Sequence, residues 1–220
     1  DLLIASGRQS IPYARMIAKA SKGKTFTVVL QNPKVSPSNF DLVWAPAHDR
    51  LNGSNVISSL VSPHRLTRER LDAEAKAWEA RTAHLPRPRV AVLLGGKNAV
   101  YEFDEAAAAH LGAQLAGLAR DTGAGLMVTP SRRTGEAQTR LIRKALDGLP
   151  ALVWDDTGDN PYFGFLGLAD AVIVTSDSVN MVGEAAFTGK PVLVVELDGH
   201  SPKFRRFLDA IYAAGAARPF

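Results

Sequence analysis

Residues 90–129, VAVLLGGKNAVYEFDEAAAAHLGAQLAGLARDTGAGLMVT, decide the fold. Val90–Leu94 is an unbroken apolar run of strand length, as expected for a strand buried on both faces. Asp104 is a good N-cap, and Ala107, Ala108, Leu111, Leu115 and Leu118 fall on one face of a helix over 104–121. A second apolar run, Gly125–Thr129, follows. A strand, a helix and another buried strand make a right-handed βαβ unit on a parallel sheet.

The pattern continues outward from this stretch. Further strands are expected at Ala151–Trp154, Ala171–Thr175 and Pro191–Val195, and helices at 135–147 (N-capped by Thr134), 162–168, 179–188 and 202–214. Upstream, strands are expected at 2–5, Thr25–Gln31 and Asp41–Ala45, with a short one at Val56-Ile57. A helix fits 11–21, with Pro12 in its first turn and Gly23 at its stop, and Thr67 caps another running to about 83. Leu85-Pro86-Arg87-Pro88 reads as a linker, since two prolines in three residues hold the chain extended. The fold class is therefore α/β with two Rossmann-like parallel-sheet domains, residues 1–86 and 87–220. The first looks incomplete: the chain opens at Asp1 directly in a strand, and an N-terminal piece is expected to precede it.

Composition narrows the function. The 220 residues are 46% hydrophobic and 22% charged, which excludes a disordered or fibrous chain. No apolar run approaches the ~18 residues of a membrane span. The absence of cysteine excludes disulfides, thiolate catalysis and iron–sulfur clusters. Residues 1–86 carry 12 Lys and Arg against 7 Asp and Glu, and residues 87–220 carry 14 against 15. A basic first half suits an anionic partner: a phosphate, a nucleic acid or an acidic membrane surface.

In doubly wound sheets, ligands bind beyond the carboxyl ends of the strands. Those ends carry small, hydroxyl-bearing and basic residues, the chemistry of a phosphate cradle. Gly95 and Gly96 permit close approach of an anion, and Lys97 supplies charge. Ser131, Arg132 and Arg133 open a helix, where two cations oppose the macrodipole unless an anion joins them. Ser176 and Ser178 offer hydroxyls at another helix start, and Glu184, two turns in, can accept from a ribose diol. Trp154 and Tyr162 flank the loop 155–161 and border a nucleobase in this reading. The three aspartates of that loop miss calcium-loop spacing.

Other chemistries lack their motifs. No G-x-G-x-x-G follows a strand. Gly23-Lys24-Thr25 mimics a P-loop end, but Ala18 stands where its first glycine belongs and the element order is wrong. There is no nucleophile elbow and no H-E-x-x-H. A dinucleotide-dependent epimerase requires Tyr-x-x-x-Lys, and Tyr13, Tyr101, Tyr162 and Tyr212 are followed at that distance by Ile17, Glu105, Leu166 and Ala216. His48, Asp49 and His64 lie in the irregular part of the first half, where an imidazole can accept a proton.

The stretch TSDSVNMVGEAAFTGKPV (175–192) resembles the mitochondrial-fission family named after the plant elongated-mitochondria protein, whose bacterial members are treated as candidate glycosyltransferases. Ile4–Arg8, Gln31-Asn32-Pro33, His48–Leu51, Leu94-Gly95-Gly96, Thr129–Thr134 and Asn160-Pro161-Tyr162 support the resemblance in order. Gly183 and Phe187 depart from it, standing where a serine and a smaller residue are expected. Relatives also begin with a further strand, Gly-rich loop and helix.

The resemblance implies a GT-B-like architecture and a glycosyltransferase that moves a sugar from a UDP-, GDP- or CDP-type donor to an acceptor hydroxyl on a glycan or lipid. Glu184 would hold the ribose. Gly95, Gly96, Lys97, Ser131, Arg132, Arg133, Ser176 and Ser178 would surround the diphosphate, and Asn160 and Tyr162 the base. Arg8 and Ser10 would face the acceptor side, with His48 or Asp49 as base. No metal or other cofactor is expected, and no nucleic acid. The expected place is the cytoplasm, with peripheral contact at the inner face of a membrane. The plant members imply the alternative, a non-catalytic adaptor that keeps the fold.

Overall fold

A computed structural model describes residues 1–220. The chain forms two compact units, Asp1–Pro63 and His64–Phe220. No helix is long and apolar enough to cross a membrane.

The first unit is a four-stranded parallel sheet in the order β1 (Leu2–Ala5), β2 (Phe26–Leu30), β3 (Leu42–Pro46), β4 (Val56–Ser59). Its one α-helix, α1 (Ile11–Ser21), joins β1 to β2, and Pro12 sits in its first turn as expected. Lys22 and Gly23 then end the helix in left-handed conformation. Alternation sorts the strand residues. Ala5, Val29 and Val43 meet Ile11 and Ala14 of α1 in a small core closed by Phe40. At the start of β3, Asp41 Oδ2 accepts from both the backbone N–H (2.7 Å) and the hydroxyl (2.8 Å) of Thr27, while its own N–H donates back to that hydroxyl. These bonds hold the Asp41 carboxyl below its ordinary range.

The second unit holds six parallel strands in the order β10-β9-β8-β5-β6-β7. They are β5 (Arg89–Leu94), β6 (Gly125–Pro130), β7 (Ala151–Val153), β8 (Ala171–Thr175), β9 (Val192–Val195) and a short β10 (Arg218–Pro219) that the sequence reading did not contain. The central strand β5 is buried along its whole length, which explains its unbroken apolar run. Helices α3 (Glu105–Thr122), α4 (Glu136–Ala145), α5 (Tyr162–Leu168), α6 (Val179–Phe187) and α7 (Pro202–Ala213) link the strands. Asp104 caps α3 by accepting from Ala107 N–H at 2.8 Å, as expected. Thr134 does not cap α4. Gly135 takes that position at φ 91°, because the Thr134 hydroxyl turns away to the carbonyls of Leu94 and Gly95.

The units divide at Pro63/His64, upstream of the proline pair near residue 87. The cause is α2 (Arg68–Thr82), which Thr67 caps and which packs on α5. The two helices approach closely because α5 presents glycines: a β-carbon at Gly164 would overlap the Trp78 indole, and one at Gly167 the backbone of Leu71. Trp78 meets Phe165 edge-on at 5.6 Å. Arg70 lies over Phe163 at 4.2 Å, and Arg68 over Phe187 at 5.1 Å. Several cations of the basic first half thus serve the aromatic surface of the second unit.

Candidate functional site

In its own chain order the second sheet reads third, second, first, fourth, fifth, sixth. The order reverses between β5 and β8, the switch point beside which ligands bind in doubly wound folds. The loops there are Gly95-Gly96-Lys97 and Ser176-Asp177-Ser178.

Asp177 dominates the centre of this region. Its side chain is 0% exposed and Oδ2 lies 2.9 Å from Arg133 Nη2, an ion pair without the alignment of a hydrogen bond. The Thr175 hydroxyl donates to Oδ1 at 2.7 Å and accepts from Gly95 N–H at 2.7 Å. A β-carbon at Gly95 would overlap the Asp177 carboxylate, and one at Gly96 the Arg133 carbonyl. The anion that Gly95 admits is therefore the chain's own carboxylate, and Gly96 admits backbone. The structural weight of Asp177 and Thr175 escaped the sequence reading. Its signal was an acid between two serines at the end of a buried strand.

Several expected phosphate ligands have protein partners. Lys97, exposed, pairs with Glu102 at 3.0 Å. Ser131 Oγ accepts from Arg133 N–H at 3.2 Å within the turn before α4. Ser176 is buried and its Oγ accepts from Leu197 N–H at 3.0 Å, tying β8 to the end of β9. Ser178 caps α6 by accepting from Met181 N–H. Asn98, which the sequence reading assigned no role, accepts from Val100 and Tyr101 N–H and donates to the Asp177 carbonyl, closing the turn after Lys97. Arg132 remains exposed and lines a cavity of about 470 Å³ with Arg140, Arg143 and Trp154 and with three carboxylates, Glu136, Asp155 and Asp156.

Glu184 and Tyr162 come together as a pair. The Tyr162 hydroxyl donates to Glu184 Oε2 at 2.6 Å, leaving Oε1 as an open acceptor. Burial, together with the Glu184 charge, pushes the Tyr162 phenol far above its ordinary range. It therefore stays a donor and fixes the orientation of the carboxylate. Asn160 Oδ1 accepts from Tyr162 N–H at 2.9 Å and sets the start of α5. In the preceding loop, Asp155 Oδ1 accepts from both the N–H and hydroxyl of Thr157, and Trp154 Nε1 donates to the Thr157 carbonyl. No three His, Asp or Glu side chains are grouped to hold a metal ion. In the Thr188-Gly189-Lys190-Pro191 stretch, Lys190 Nζ donates to the carbonyls of Leu166 and Gly167, both at 2.7 Å. It closes the C-terminus of α5, and burial lowers its pKa.

In the first unit, Arg8 and Ser10 lie in a short 3-10 turn after β1, where the Ser10 hydroxyl donates to the Gly7 carbonyl at 2.7 Å. His48 is buried and Asp49 half-buried in another such turn after β3.

Two Rossmann-like units with parallel sheets define a GT-B-like α/β protein. UDP-GlcNAc 2-epimerase from Methanocaldococcus jannaschii shares the fold with a TM-score of 0.54, over 95% of this chain and 69% of that one, at 11% identity. The chain belongs to the mitochondrial fission ELM1 family, whose model matches residues 1–220. It is 29% identical to mitochondrial fission protein ELM1 of Arabidopsis thaliana over 243 residues, spanning all of this chain and 57% of that relative's length. It is 23% identical to the uncharacterized protein RP120 of Rickettsia prowazekii (strain Madrid E), spanning all of this chain and 72% of that one.

Proposed function

We propose that the second unit binds the nucleoside diphosphate of a nucleotide-sugar and that the protein is a glycosyltransferase. The observation that carries this reading is the Tyr162–Glu184 pair, a fixed carboxylate with one open oxygen on the helix that follows the switch-point strand. A carboxylate so held can accept from the paired hydroxyls of a ribose. Backbone N–H groups at the start of α6 and the exposed Arg132 would then meet the diphosphate. In the transfer, the acceptor oxygen bonds to the anomeric carbon, the diphosphate leaves with the bonding electrons, and the acceptor proton passes to a base. Stabilising the leaving charge with fixed donors in place of a metal is the catalytic device of this proposal. Titration calorimetry with UDP, GDP and CDP tests it. Micromolar binding of one of them, weakened at least tenfold by Glu184→Ala, supports the reading. Binding that ignores Glu184 sinks it.

A second reading is a non-catalytic adaptor, and one specific observation favours it. Asp177 fills the space beside Gly95 and engages Arg133, so the loop suited to a diphosphate is occupied by the protein's own carboxylate. Failure of all three nucleotides to bind at millimolar concentration, with native circular dichroism, selects the adaptor.

A further inference from the structure

All the large apolar side chains that the structure leaves exposed belong to the first unit. Three of them form a stripe on α1: Tyr13 is 64% exposed, Met16 61% and Ile17 37%. At about 100° per residue, Ile11 and Ala14 point to the sheet, while Met16, Ala20, Tyr13 and Ile17 fan over the opposite side. Arg15, Lys19 and Lys22 line the flank between the two. A surface helix ordinarily turns charged residues to water; here its outward centre is apolar and its edge cationic.

Cations predominate around this helix, although Asp41 lines a second cavity beside Arg15, Met16 and Lys19. Residues 2–40 contain six Lys and Arg and no Asp or Glu. Beside the first turn of α1, Arg8, Arg15 and Lys34 line a cavity of about 430 Å³ with Ile11, Pro12 and Val35. No carboxylate lines that cavity or pairs with any of its three cations. An apolar stripe next to unpaired cations is the amphiphilic pattern of a helix that lies in a lipid headgroup region.

We propose that the outer face of α1 docks on an anionic lipid bilayer. Tyr13, Met16 and Ile17 enter the headgroup–acyl boundary, and Arg8, Arg15 and Lys34 take lipid phosphates. Charge complementarity selects this occupant over a second copy of the chain. An isologous contact would set the same cations against each other. The proposal stands independently of the nucleotide reading, because every residue in it lies in the first unit.

Cosedimentation with vesicles tests it. Vesicles of one-third phosphatidylglycerol in phosphatidylcholine should bind the protein, and those of phosphatidylcholine alone should not. Salt should weaken binding, since a charge near the surface is screened within a Debye length. The triple change Tyr13→Ser, Met16→Ser, Ile17→Ser should abolish binding with unchanged circular dichroism. Each cation contributes about fivefold at such a surface, so Arg8→Gln with Lys34→Gln should weaken binding roughly thirtyfold. Three results overturn the proposal: no sedimentation with anionic vesicles, equal binding to neutral ones, or a dimer in solution that the triple change dissolves. Full retention of vesicle binding by the Arg8/Lys34 variant overturns it as well.

Discussion

Gly95→Ala tests what the switch-point loop accommodates. The added methyl would overlap the Asp177 carboxylate, so the carboxylate must leave its position. It would lose the 2.7 Å bond from the Thr175 hydroxyl, and a hydrogen bond to a charged group contributes about 1.5–3 kcal/mol. It would also lose the Arg133 pair. That guanidinium is 41% exposed, so solvent screening holds its share to about 1 kcal/mol or less. Together these give a destabilisation of about 2–4 kcal/mol. In a domain of this size that lowers Tm by about 5–15 °C. A double-mutant cycle isolates the cause. Asp177→Ala alone should cost about 1–3 kcal/mol, because the Thr175 hydroxyl loses its acceptor. Added to Asp177→Ala, Gly95→Ala should cost little, since its methyl then occupies vacated space. The coupling should therefore reach about 2 kcal/mol, well above the scatter for independent sites. Thermal and urea unfolding of the four proteins measure it. If the two costs simply add, the methyl does not collide with the carboxylate, and the account of Gly95 is wrong.

Two further outcomes follow from single groups. The Asp41 carboxyl is depressed by its bonds from Thr27, so its contribution is present above the ordinary carboxylate pKa of about 4 and is lost as pH falls through the lower folded value. Acid titration of unfolding should show the first unit weakening below about pH 4, and Asp41→Asn should flatten that part of the slope. Lys190→Met keeps the stem but leaves the carbonyls of Leu166 and Gly167 without their partner. A destabilisation of about 1–3 kcal/mol is expected in thermal unfolding, and a change within error would show that water replaces the ammonium.

Local signals carried the fold. The apolar runs at 90–94 and 171–175 are strands buried on both faces, and Asp104 and Thr67 cap the helices assigned to them. Signals that depend on distant partners were not legible. The Leu85–Pro88 prolines look like a boundary, yet α2 upstream of them belongs with α5, and the evidence for that lies in Gly164 and Gly167, some ninety residues on. Thr134 has the chemistry of a cap but spends its hydroxyl on Leu94 and Gly95. Lys190 closes the C-terminus of α5 from more than twenty residues away, a contact that no local signal announces. Glu184 was legible as a candidate because a carboxylate two turns into α6 has no capping role to explain it. Its partner Tyr162 is expected from the sequence to border the base, not to hold the carboxylate.

These placements separate two kinds of residue within the same loops. Gly95, Gly96, Thr134, Thr175, Ser176 and Asp177 are explained by the protein's own hydrogen bonds and close contacts, so any account of ligand binding must do without their free valences. Glu184 Oε1, the exposed Arg132 and the backbone N–H groups at the start of α6 are not consumed in that way. A nucleotide recognised here would consequently rest its ribose on Glu184 and its phosphates on Arg132 and the start of α6, not on the Gly95–Gly96 loop. That division has a measurable signature. A 2′-deoxy diphosphate should bind more weakly than its ribose counterpart, and Arg132→Gln should weaken a diphosphate but not a nucleoside. A diphosphate that ignores both changes in competition titrations would return to the Gly95–Gly96 loop and require Asp177 to move aside on binding.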